Sequence, residues 1–133
     1  SYGVVATDLA IKDGSGESKN DGVPPIVVAQ LMAKVLAGAN SLDVIYNSLP
    51  VSGKTGTLAG RFTGANAVAR GAVNAKTGSI LNVYTLGGIV HAKDGTPLAF
   101  AFYALGNVRS TAMAAIDTVT TGVFNCGDNL SNN

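Results

Sequence analysis

An α+β fold, an antiparallel sheet with helices packed against it, is what this sequence predicts, and three observations predict it. Helical apolar spacing occurs ahead of Pro50 and again after Ser110. Between them, from Val73 to Leu105, lie β-like runs, two of them joined by an Asp-Gly turn. The composition, 47% hydrophobic and 13% charged over 133 residues, suits one buried core and is too apolar for disorder. Residues 1–133 therefore read as a single domain piece.

The elements follow in order. Gly3 to Ile11 is a short apolar stretch, closed by Asp13-Gly14-Ser15-Gly16, a turn whose glycines supply positive φ. Pro24 and Pro25 suit a helix start, and Val28, Leu31, Met32, Val35, Leu36 and Ala39 recur at helical spacing, with Gly38 as the stop. Ser41 is expected to cap a shorter helix through Leu42, Ile45 and Leu49, ended by Pro50, which lacks a donor and disfavours helix in its predecessor. Val51 to Gly71, rich in Gly, Ala and Thr without a period, reads as loop with a little local structure. Strands are predicted at Val73 to Thr77, Val83 to Ala92 and Leu98 to Leu105. In the last, Leu98, Phe100 and Phe102 face one way and Ala99, Ala101 and Tyr103 the other, the pattern of a strand covered on both faces and so central. Lys93-Asp94-Gly95-Thr96 makes the last two strands an antiparallel hairpin. Ser110 or Thr111 is expected to cap a final helix with a stripe of Met113, Ile116, Val119 and Val123, before a polar tail, Asp128 to Asn133, that frays.

Composition also excludes functions. Nine Lys plus Arg against eight Asp plus Glu, with no basic run, lack the charge to track a phosphate backbone, so nucleic acid is not an expected partner. Gln30, Lys34 and Asn107 interrupt the apolar stretches before they reach the roughly 18 residues a membrane helix needs. One cysteine, Cys126, and one histidine, His91, exclude an internal disulfide and a Cys/His zinc cluster. Cys126 reads as a small apolar filler, His91 as a surface or turn residue without an identifiable partner, and Asp13, Ser15, Ser18 and Asp94 as turn residues. Chemistry is left to Ser, Thr, Lys, Asn and the backbone. The opening Ser1-Tyr2-Gly3 carries no leader pattern and suggests a mature product or a cut piece.

Lys-Thr-Gly occurs twice, as Lys54-Thr55-Gly56-Thr57 and Lys76-Thr77-Gly78-Ser79. The first copy superficially resembles the tail of a phosphate-binding P-loop, but Ser48 replaces the leading glycine, a helix precedes in place of a strand, and Gly56 and Gly60 weaken the helix that must follow. The second copy ends a predicted strand just before a hairpin, where an edge could hold a substrate. There a lysine supplies a positive field for a carboxylate, neighbouring hydroxyls grip that carboxylate, and glycine keeps the strand clear for a substrate backbone.

The wider text carries a family resemblance. Asp13-Gly14-Ser15-Gly16, Leu49-Pro50-Val51 with Gly53, Gly56-Thr57-Leu58, Arg61-Phe62, Ala75-Lys76-Thr77-Gly78-Ser79, Val83-Tyr84 with Leu86 and Gly88, and Asp94-Gly95 with Leu98-Ala99-Phe100 occur in order. Over roughly Leu9 to Phe124 the chain resembles the C-terminal part of class C low-molecular-mass penicillin-binding proteins, D-alanyl-D-alanine carboxypeptidases and endopeptidases. The resemblance implies the C-terminal portion of a serine β-lactamase/transpeptidase-like fold, placed outside the cytoplasm in the periplasm or cell-wall space. It implies acyl transfer on peptidoglycan stem peptides, with β-lactams as ligands and no cofactor. By position, Lys76 is then the third-motif lysine, Thr77, Gly78 and Ser79 bind the substrate's terminal carboxylate and backbone, and the Ser79 N–H is half of the oxyanion hole, so Lys76 and Ser79 are the catalytic candidates. Lys54 has no catalytic role in this alignment, its segment matching the stretch upstream of the active strand.

The departures are as informative. The family's nucleophile lies in Ser-x-x-Lys, yet the residues three before each lysine are Leu9, Gly16, Leu31, Val51, Val73 and Val90. Ser18-Lys19-Asn20 mimics a Ser-x-Asn motif but follows a turn where the family carries no catalytic pair, and Glu17 and Lys19 replace the family's usual Leu and Arg there. The chain is thus expected to be a carboxy-terminal fragment, inactive alone and dependent on the remainder of a parent chain. A non-catalytic binding or structural module of the same fold is the alternative. Apolar surface exposed around Phe100 and Phe102 would favour a homodimer formed by strand or helix exchange.

Overall fold

In the computed structural model, residues 8–106 and 109–130 are described. Three antiparallel strands, β1 (Val73–Ile80), β2 (Val83–His91) and β3 (Pro97–Leu105), pair in the order β1-β2-β3, with Ala75 opposite Gly88 and Gly88 opposite Phe100. Alternation divides the sheet into two apolar faces. Val73, Ala75, Leu86, Val90 and Phe100 look toward α3 (Arg109–Cys126), where Ile116 and Ala112 complete a core with Leu58, Phe62 and Ala69. On the other face, Ile89 and Ala99 meet Met32, Val35 and Val28 of α1 (Pro25–Leu36), joined by Leu42 and Leu49 flanking α2 (Asp43–Ser48). The result is helix, sheet, helix. Gly87 lets α1 approach closely, since a Cβ there would lie 2.8 Å from a Val28 methyl.

The predicted α+β architecture is present. α1 starts at Pro25 and is stopped by Gly38 in the left-handed region at φ 63°, while α2 ends before Leu49 and Pro50. β3 has both faces packed as its alternation predicts, but it lies at one side of the sheet, and β2 is the middle strand among the described residues. Burial on both faces reports covering layers, and says nothing about strand order.

Other expectations are corrected. Ser41 does not cap α2: it sits at φ 66° in a short 3₁₀ turn, and Leu42 precedes the helix without a side-chain cap. α3 begins at Arg109, so Ser110 and Thr111 lie inside its first turn. Its buried side is Ala112, Ile116, Asp117, Thr120 and Thr121, whereas Met113 and Val119 of the predicted stripe are exposed. Thr120 and Thr121 go inside because each hydroxyl donates to the carbonyl one turn back, on Ile116 at 2.7 Å and Asp117 at 2.8 Å, leaving no donor unpaired. Cys126 is exposed, not a filler. Asp128 is docked, its N–H donating to the Asp94 carboxylate at 2.8 Å. The start of the Gly3 to Ile11 stretch and residues 131–133 lie outside the described residues; Leu9 and Ile11 are exposed.

Candidate active site

Whether a strand can accept an extended peptide depends on which of its backbone groups are already paired. In the β1–β2 ladder the His91 N–H donates to the Ala72 carbonyl at 2.8 Å, which turns the even-numbered residues of β1 toward β2 and the odd-numbered ones outward. The first outward residues are covered. Ser52 N–H donates to the Val73 carbonyl and Ala75 N–H to the Pro50 carbonyl, both at 2.9 Å. Beyond Ala75 the cover leaves, because this segment runs antiparallel to β1, Val51 opposite Asn74, and the residues that would continue it toward Thr77 are the end of α2. The next outward residues are Thr77 and Ser79. No described chain segment pairs with their N–H groups.

The side chains are arranged on this uncovered end. Lys76 is exposed and its Nζ donates to the Thr77 carbonyl at 2.7 Å, which brings the ammonium to the outward edge. Thr77 Oγ1 donates to Thr57 Oγ1 at 2.9 Å. Gly78 lies across from Thr85, and a Cβ at Gly78 would strike the Thr85 hydroxyl. Ser79 is exposed, one pair from the two-residue turn in which Leu81 adopts φ 46°. Val73 to Thr77 was too short a strand: it runs on to Ile80, so Lys-Thr-Gly-Ser lies within the strand and not at its end.

A second wall faces this edge. The Asp13 carboxylate accepts the N–H groups of Ser15 at 2.9 Å and Gly16 at 2.7 Å and the Ser15 hydroxyl at 3.1 Å, while paired bonds between Ala10 and Gly22 close the loop's base. Those donors, the Gly16 N–H foremost, hold the Asp13 carboxyl below its ordinary value. The turn roles expected for Asp13, Ser15 and Ser18 are present, Ser18 Oγ accepting the Asn20 N–H at 3.2 Å. Between this loop and residues 76–81 lies an open cleft of about 520 Å³, with Lys19, Lys76 and Glu17 among the residues that line it. A neighbouring cavity of about 400 Å³ runs from Val23 to Tyr103, whose partly buried phenol is pushed above its usual value by burial. The net positive lining of the cleft suits a carboxylate.

Behind β1, the segment carrying Thr57 is anchored. Leu58 and Phe62 are fully buried, the Arg61 guanidinium donates to Asp117 at 2.7 Å and to the Met113 carbonyl at 3.1 Å, and the Phe62 N–H donates to Asp117 at 3.2 Å. Val51 to Gly71 is loop with a little local structure, as expected, two short 3₁₀ turns at Gly56–Leu58 and Gly64–Ala69, and it places Leu58, Phe62 and Ala69 in the core. The sequence offers Thr57 only as part of the Gly56-Thr57-Leu58 match, with no signal that its hydroxyl meets that of Thr77. Sequence reasoning also missed the partner of His91, whose Nε2 lies 2.7 Å from the Tyr46 hydroxyl. Among the described residues no group of His, Cys, Asp and Glu could hold a metal ion, and no helix is long and apolar enough to cross a membrane.

Comparison with known proteins complements this geometry. The model of the D-Ala-D-Ala carboxypeptidase 3 (S13) family matches residues 1–123. The chain is 29% identical over 130 residues to Carboxypeptidase DacB of Mycolicibacterium smegmatis, covering 96% of this chain and 28% of that protein. It is 34% identical over 123 residues to the D-alanyl-D-alanine carboxypeptidase of an Actinomadura species, covering 88% and 22%. Penicillin binding protein 4 (dacB) from Haemophilus influenzae shares the fold with a TM-score of 0.77 at 22% identity, over 92% of this chain and 29% of that one. The same protein complexed with a novel β-lactam gives a TM-score of 0.76. The chain spans about a quarter of the length of the curated relatives it matches.

Proposed function

We propose, from the premise that this chain belongs to the D-Ala-D-Ala carboxypeptidase 3 (S13) family, that β1 is the substrate-binding wall of a serine D-alanyl-D-alanine carboxypeptidase or endopeptidase. Its substrate is the peptidoglycan stem peptide and its place of action is outside the cytoplasm. The observation that carries the reading is the uncovering of β1 from Thr77 onward, where outward N–H groups stand beside a lysine and two hydroxyls.

In this reading an extended peptide lies along Thr77 to Ser79, Lys76 supplies the positive field, and the Thr77 and Ser79 hydroxyls hold the terminal carboxylate. The Ser79 N–H donates to the carbonyl oxygen as negative charge develops there, a contribution whose loss typically costs on the order of a hundred- to a thousandfold in rate. Gly78 adds no side chain beside the peptide's path. The nucleophile is a serine outside this sequence, since no lysine here has a serine three residues before it. That same observation favours, for the chain by itself, the reading as a binding module without turnover.

A fluorescent penicillin tests the proposal. The 133-residue chain stays unlabelled, a longer protein that adds a Ser-x-x-Lys segment upstream is labelled, and Lys76→Ala in that protein abolishes the label. Undiminished labelling of the Lys76→Ala protein contradicts the assignment.

A further inference from the structure

The two Lys-Thr-Gly-Thr/Ser copies meet in space, threonine to threonine, and the first copy's final residue touches the second copy's second one. We propose that Thr57 is a positioning residue that sets the Thr77 hydroxyl for carboxylate binding; this rests on the function proposed above and adds a residue to it.

The argument begins with donor counting. A threonine hydroxyl has one proton to donate and two lone pairs to accept with. Thr77 Oγ1 donates to Thr57 Oγ1 at 2.9 Å. To grip a carboxylate, Thr77 must turn that proton toward the ligand, which leaves its oxygen facing a Thr57 hydroxyl free to rotate and donate in return. The bond reverses and is not lost. A two-hydroxyl chain ending on an anion is polarised in one direction, which strengthens the terminal bond. Throughout, Thr57 holds Thr77 Oγ1 on one side of the strand, so the side chain need not be ordered when the ligand arrives.

Thr57 can do this because its own position is fixed from behind. It lies in the short 3₁₀ turn Gly56–Leu58, whose Leu58 is fully buried, and the chain beyond is held to α3 by Arg61 and by the Phe62 N–H on Asp117. The same segment covers β1 at Val73 and Ala75 through Ser52 and Pro50. One rigid piece therefore closes the first half of the strand edge and orients the first side chain of the open half.

Two measurements test this. In the chain itself, three-bond NMR couplings of the Thr77 side chain report its χ1 rotamer. A single rotamer is expected in the native chain and in Thr57→Ser, and averaged couplings in Thr57→Val; unchanged couplings in Thr57→Val overturn the proposal. In the complete gene product carrying residues 1–133, the second-order rate of acylation by benzylpenicillin is expected to fall about three- to tenfold in Thr57→Val and to recover in Thr57→Ser. In a Thr77→Val background Thr57→Val should add no further loss. A full additional loss there overturns positioning through Thr77, whereas an unchanged rate in Thr77→Val alone would refute the function proposed for the strand.

Discussion

Asp117 shows how much of the site depends on a residue far from it. Its carboxylate, with 8% of the side chain exposed, accepts from Arg61, 13% exposed, and from the Phe62 N–H, which props up a phenylalanine at φ 57°. Removing the carboxylate would strand a guanidinium and an amide in the core. Asp117→Ala should therefore lower unfolding free energy by about 3–5 kcal/mol in urea titrations, well beyond a surface ion pair's about 1 kcal/mol. Sequence reasoning could not find this pair: Arg61 and Asp117 are far apart in the chain, and a lone Asp within a helical pattern normally reads as its solvent face. Asp94 and Asp13, by contrast, were legible as turn residues because Asp-Gly is a local signal. The Asp128 and Thr96 N–H groups lower the Asp94 carboxyl below its ordinary value, and the Gly16 and Ser15 donors do the same for Asp13. A carboxyl depressed by folding adds stability above its unfolded value, near pH 4, and loses it as the pH falls through the folded one. Urea midpoints should hold level from pH 7 to 5 and decline below about pH 4, and Asp94→Asn should flatten part of that decline.

At the scale of elements, β1 is defined by what lies on each side. Gly88 is opposite Ala75, and a Cβ there would come within 2.6 Å of the Ala75 Cα. Gly88→Ala should push the two strands apart next to the covered part of the edge and cost about 1–3 kcal/mol, with NMR shifts concentrated at residues 73–77. The antiparallel hairpin, the α1 boundaries and the existence of α3 could be read from apolar spacing and from Gly and Pro. What could not be read was set by tertiary pairing. Lys76 to Ile80 lacks a strand's apolar alternation because one face and one edge are open, and of the predicted α3 stripe Ile116 and Val123 pack on the core while Met113 and Val119 do not, threonines that bond their own helix being buried as well.

For the whole molecule, two apolar layers enclose the sheet from either face, yet the sheet's sides differ. β1 is covered for half its length, while β3 carries no ionisable group except Tyr103, ends in Leu105 at 69% exposure, and is paired on one side only among the described residues. Such an edge recruits another strand. Light scattering should show self-association of the chain at high concentration, and a clean monomer would remove β3 as the cause of any dimer.

Amide hydrogen exchange along β1 reads the central claim residue by residue. Lys76 and Gly78, bonded to β2, and Ala75, bonded to Pro50, should be protected, while Thr77 and Ser79 exchange about a hundredfold faster or more. Protection of Ser79 equal to that of Gly78 would mean that the edge is already occupied, and that this strand has no room for a peptide.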